Sequence, residues 1–184
     1  MLSFCQWLAQ TEWSIALHES FYMYPLVESV HVLTLTLFVG IAALLDLRLL
    51  GVTLTHVPVK EMARRLGPWL IGGFTVMVVT GALLFYAIPV RSYQNVFFRF
   101  KVIFLVLAGI NVLVFHTGIY RSVETWSAEA RPPRRARLAG LFSLLLWAGI
   151  VIAGRMIAYN WFDCDIQPQS AIVNWWAGCE VDPH

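Results

Sequence analysis

The stretch LVESVHVLTLTLFVGIAALLDLRLLGV, residues 26–52, is one apolar run carrying four ionisable side chains, Glu28, His31, Asp46 and Arg48. It exceeds the ~20 residues that take a helix across a bilayer. Three further runs of similar character follow at residues 66–90, 102–120 and 138–162. The pattern predicts an all-α fold: a four-helix transmembrane bundle with an N-terminal interfacial helix and a short external C-terminal tail, forming one integral membrane domain over residues 1–184. Composition agrees, since 59% of the 184 residues are hydrophobic and 13% charged, with mean hydropathy +0.68. A chain this apolar cannot cover itself with polar surface, and disorder, a cystine-rich toxin and a nucleic-acid reader are excluded.

Orientation follows from where the basic residues fall. Lys60, Arg64 and Arg65 lie between the first two runs, and Arg121, Arg131, Arg134, Arg135 and Arg137 between the last two. The loop after the second run carries only Arg91 and Arg99, with Lys101 at the edge of the third. The positive-inside rule then places the two basic loops in the cytoplasm and both termini outside, the expected site being a bacterial inner membrane with the termini on the periplasmic side. Residues 1–20 lack a basic start and carry Glu12 and Glu19, so they read as a retained segment and not a signal peptide. Trp7, Trp13, Phe21, Tyr22 and Tyr24 suit a helix in the outer headgroup layer ahead of Pro25. Trp69 and Trp126 fall at the inner interface by the same depth scale, and Trp161, Trp175 and Trp176 at the outer one. Gly72, Gly73 and Gly81 offer close helix approach.

Ionisable groups inside the runs carry the functional information, because a charge at mid-bilayer costs about 2.5–3.5 kcal/mol on the most lenient scale. On a helix, Glu28, His31, Val39, Ala42 and Asp46 share a stripe expected to face the interior, while Arg48 points away and is expected to snorkel toward headgroups. Depth sorts the polar groups into two layers. The outer one holds Glu28, His31, Lys101, Arg155 and Tyr159; the inner one holds Asp46, Asn111 and His116. The structural reading of the outer layer is ion pairing of Glu28 with Lys101 or Arg155, which would lock helix packing.

The strings YPLVESVHVL, DLRLLG, FKVIFLVLAGIN and GRMIAY resemble an uncharacterised bacterial family of small four-span integral membrane proteins, a domain of unknown function. The resemblance covers nearly the whole chain. It implies the four-span fold, draws attention to Glu28, His31, Asp46, Arg48, Lys101, Asn111, Arg155 and Tyr159, and lends no activity.

Several functions stay open on the residues. An accessory electron-transfer subunit would hold haem b or a quinone, with His31, His116 and Tyr159 as candidate cofactor-binding residues. His31 and His116 differ in expected depth by roughly 15 Å, so one haem cannot readily take both; His18 with His31, or His56 with His116, match better. A quinone needs only a donor such as His31 or Tyr159. A permease or proton-conducting subunit would run a relay through Glu28, His31 and Lys101 to Asp46 and His116. A non-catalytic anchor or assembly subunit would hold a membrane or periplasmic protein through the Trp-rich termini. Hydrolysis is disfavoured: Glu28 and His31 form an ExxH pair without further carboxylates at that depth, and no HExxH, GxSxG or phosphate loop occurs. Cys5, Cys164 and Cys179 all fall on the external side; Cys164 and Cys179 can pair, and a thiol metal site with His184 lacks supporting spacing.

Overall fold

The computed structural model describes residues 1–159 and 162–179, so Trp161 and His184 lie outside the described residues. Every regular element among the described residues is helical. Two short helices open the chain, α1 (Leu2–Ala9) and α2 (Glu12–Glu19). The sequence suggested a single helix here. The break falls at Gln10 and Thr11, where the Thr11 hydroxyl bonds the Leu8 carbonyl at 2.7 Å, a local bond that competes with helix continuation.

Four long apolar elements follow. α3 (Met23–Leu50) accepts Pro25 in its first turn, where the missing N–H costs no helix bond. α4 (Val59–Ala87) starts ahead of the second apolar run, because Glu61 pairs with Arg64 and Arg65 one turn on and supports a charged first turn. After the short α5 (Pro89–Tyr93), α6 (Val96–Val114) is capped by Asn95, whose Oδ1 accepts from the Phe97 and Phe98 amides at 3.0 and 3.2 Å. A π-helical turn at Phe115–Ile119, a 3₁₀ turn and the single-turn α7 (Val123–Trp126) lead to α8 (Arg134–Ile157). A last short helix, α9 (Ala171–Ala177), is capped by Ser170 and closed by Gly178 at φ +73°.

α3, α4, α8 and the segment from α6 through α7 are each long and apolar enough to cross a membrane, and the chain is a multi-pass membrane protein. Large apolar side chains such as Leu33, Ile71, Leu113 and Leu145 stay exposed, which is tolerable where lipid replaces water.

The residues fall into two compact units. The first comprises Met1–Val32, Val78–Ile103 and the described part of Ile150–His184. Here α2 hangs on α4, with the Ser14 hydroxyl donating to the Tyr86 carbonyl at 2.7 Å and Thr11 bonded to the Tyr86 phenol. The second comprises Leu33–Met77 and Phe104–Gly149. In it Phe38 packs between Phe74 and Trp147, and α8 approaches α3 so closely that a Cβ at Gly140 would lie 3.0 Å from the Asp46 carbonyl oxygen.

Candidate functional site

In the first unit the polar residues gather around His31. This side chain is buried, and its Nδ1 lies 2.8 Å from Thr80 Oγ1 on α4. Gly81 makes room for the ring: a Cβ there would lie 3.3 Å from His31 Cε1. Lys101 on α6 is near enough for its charge to act on His31. Its ammonium tip rests on α8, where a Cβ at Gly154 would lie 3.5 Å from Nζ. Neither His31 Nε2 nor Lys101 Nζ has a hydrogen-bond or ion-pair partner among the described residues. Gly81 on α4 makes room for His31 and Gly154 on α8 for Lys101, two basic side chains near enough to act on each other electrostatically, with Thr80 fixing the imidazole.

The other expected members of that layer stand elsewhere. Glu28 is exposed and forms no ion pair among the described residues. Arg155 is also exposed, donating to the Tyr159 phenol at 3.1 Å and lying over its ring at 5.0 Å. The buried Glu28–Lys101–Arg155 cluster is therefore not formed. Position agrees with this: Glu28 is five residues inside α3, ~7 Å from its start, and Arg155 two residues from the end of α8, so both stand near helix ends with their side chains exposed.

In the second unit, buried Asp46 accepts from the Ser143 hydroxyl on α8, and its Oδ2 finds no partner among the described residues. Asn111 donates to the Ala139 carbonyl at 3.0 Å, so both polar groups serve α8. His116 does not join them. It is exposed on the π-helical turn with Nδ1 bonded to the Val112 carbonyl at 3.0 Å. Its ring lies against Tyr120 and Phe115, which removes it as a partner for Asp46.

Arg48 reverses its expectation. It is fully buried, with Nε donating to the Val57 carbonyl at 2.7 Å and Nη2 to those of Glu129 and Ser127 at 3.0 and 3.5 Å. The loops at 51–58 and 127–133 fold back over the end of α3, and the guanidinium ties them together instead of snorkelling. Gly51 at φ +75° allows that return, since a Cβ there would sit 3.0 Å from the Ala130 carbonyl oxygen and the backbone is left-handed.

Cys164 and Cys179 are joined by a disulfide, and Cys5 is free and buried. His18 and His56 are exposed; His18 lies edge-on to Tyr24.

A family model matches residues 17–160, which takes in all four long apolar helices, His31, Thr80 and Lys101. The chain belongs to DUF6644, a family of unknown function. No match was found among curated proteins, nor among solved structures. What this DUF6644 chain does must therefore be argued from its own side chains. Thr80 and Gly154 are the site residues that the sequence did not single out, and Gly81 stood out only as a place of close helix approach. Thr80-Gly81 did carry a signal, a lone hydroxyl followed by a missing side chain within an apolar run, but without the helix pairing nothing linked it to His31.

Proposed function

We propose that the chain is an accessory electron-transfer subunit of a complex in the bacterial inner membrane, termini on the periplasmic side, and that it holds a quinone head group at His31 and Lys101. The observation that carries this reading is the meeting of His31 and Lys101 in a membrane-spanning region without a carboxylate. A lysine ammonium and an imidazole edge, both without a partner among the described residues and in an apolar setting, call for a polar group from outside the chain. A quinone carbonyl meets that need, and its apolar tail is soluble in the surrounding lipid. Thr80 on Nδ1 orients the imidazole so that Nε2 is the edge offered to a ligand.

Haem b is the weaker arm of the same reading, because axial ligation needs a second donor and His116 is exposed in the other unit, tied to its own helix. A proton-conducting subunit is the second reading, favoured by the buried carboxyl of Asp46 with one oxygen unmatched.

Purification in mild detergent, solvent extraction of bound lipids and chromatographic detection of quinone tests the proposal. We expect near-stoichiometric quinone with the wild type and little with Lys101→Met. Wild-type protein free of quinone after isolation from quinone-containing membranes, or equal amounts in both, would overturn it. A reduced-minus-oxidised spectrum on the same sample reads the haem arm.

A further inference from the structure

A second recess lies on the first unit, where the start of α6 meets α9. It is an open cavity of about 460 Å³ bounded by Tyr93, Arg99, Val102, Ile103, Trp175 and Trp176. Among the described residues, Arg99 is the one charged side chain in its lining. The guanidinium is held in place: Nε donates to the Tyr93 carbonyl at 3.1 Å, Nη2 to the Ala177 carbonyl at 2.9 Å, and the group lies over the Tyr93 ring at 4.8 Å. Nη1 bonds nothing among the described residues. The opposite wall is fixed as well. Gly178 brings α9 against Arg99, where a Cβ would lie 3.3 Å from Nη2, and the Cys164–Cys179 disulfide closes the segment that carries α9. Trp176 Nε1 is a further buried donor without an acceptor among the described residues.

We infer that this recess is a binding site for an anionic membrane phospholipid, with Arg99 taking the phosphodiester and the acyl chain running over Val102 and Ile103. Charge complementarity and direction support the choice. A fixed cation with a free N–H edge suits a phosphate oxygen. Val102 and Ile103, both exposed, lie one turn deeper along a membrane-spanning helix, so the recess opens from a polar end onto surface that lipid must cover. Tryptophan and tyrosine rings beside Arg99 are the side chains that favour the headgroup layer. A soluble anion would gain nothing from the apolar half. The site shares no side chain with the His31 group and stands or falls separately from the quinone reading.

The full chain, reconstituted in phosphatidylcholine nanodiscs with a minor share of phosphatidylglycerol, would be released into the gas phase and its retained lipids weighed by native mass spectrometry. The wild type should keep the anionic lipid about fivefold over its share, the worth of one cation at a lipid surface. Arg99→Gln should lower this to parity. Because Arg99 also holds α9, Ile103→Trp serves as the second variant: it fills the recess, leaves the Arg99 bonds in place and should also bring retention to parity. Overturning results are retention at parity in the wild type, enrichment that persists in either variant, or thermal protection by inorganic phosphate alone equal to that by the lipid.

Discussion

Two basic side chains, Arg48 in the second unit and Lys101 in the first, show opposite ways of keeping a cation inside an apolar protein. Arg48 is enclosed by its own chain, and the carbonyls of Val57, Ser127 and Glu129 supply the negative ends of dipoles that its planar donors need. Lys101 has neither carbonyl nor carboxylate partner among the described residues; its neighbours are Gly154 and another base, His31. Arg48 is thus an internal fastener held through Nε and Nη2, although its buried Nη1 finds no partner among the described residues. Lys101 has no such hold among the described residues, and under the quinone reading the ligand supplies it. Arg48 is fully buried and Lys101 half-buried, and the pairing of their donors differs as well.

The largest expected effect breaks the fastener. Arg48→Met should strip three carbonyls of a charged donor and lower stability by about 3–5 kcal/mol, read as thermal unfolding in detergent. Lys101→Met should change it by no more than about 1 kcal/mol, in either direction, since exchanging an uncompensated ion for an apolar chain is commonly neutral or stabilising. Comparable losses in the two variants would erase the contrast.

Next in size, Gly140→Ala should cost about 1–3 kcal/mol by overpacking, because its Cβ would meet the Asp46 carbonyl oxygen at 3.0 Å and Leu49 Cβ at 3.1 Å. It tests whether the close α3–α8 approach contributes to the stability of the second unit.

Asp163, beyond the end of α8, gives a pH-dependent effect in the first unit. Burial raises its carboxyl pKa above the ordinary value, with Asp165 adding to the rise, and its Oδ2 has no partner among the described residues. An acid whose folded pKa is raised favours folding below its unfolded pKa, near 3.9, and loses that contribution as pH rises through the folded value. Asp163→Asn should therefore raise the melting temperature at pH 7 and lose the advantage below about pH 4. A gain that is the same at both pH values would show that charge is not the cause.

The smallest effect belongs to Glu28. Being exposed and unpaired, Glu28→Gln should alter stability by no more than about 0.5 kcal/mol; a loss of several times that would restore the buried ion pair that the sequence suggested.

The four long helices were legible because apolar length is a local property, written in each run without reference to its neighbours. The candidate site was legible only in part. The stripe on α3 pointed His31 inward, and depth placed Lys101 beside it, but both Glu28 and Arg155 share that depth and escape because long side chains near helix ends can reach outward. Arg48 was misjudged for the converse reason: proximity to a helix end implies snorkelling unless loops return over it. Gly51, three residues on, was the only local hint of such a return. Thr80 and Gly154 owe their roles entirely to which helix faces which, a relation that one sequence does not encode locally.

The central claim is that His31 and Lys101 hold a quinone head group. It is tested most directly by titrating a short-tailed quinone into nanodiscs containing the full chain and following intrinsic tryptophan fluorescence. The wild type should show saturable quenching above the partition background of empty nanodiscs. Lys101→Met and His31→Phe should each weaken it about tenfold or more, the loss of one charged or well-placed hydrogen bond to the ligand, while Glu28→Gln binds as the wild type does. Quenching by the wild type that is linear and no greater than partition, or saturable quenching with the same affinity in Lys101→Met, would contradict the account.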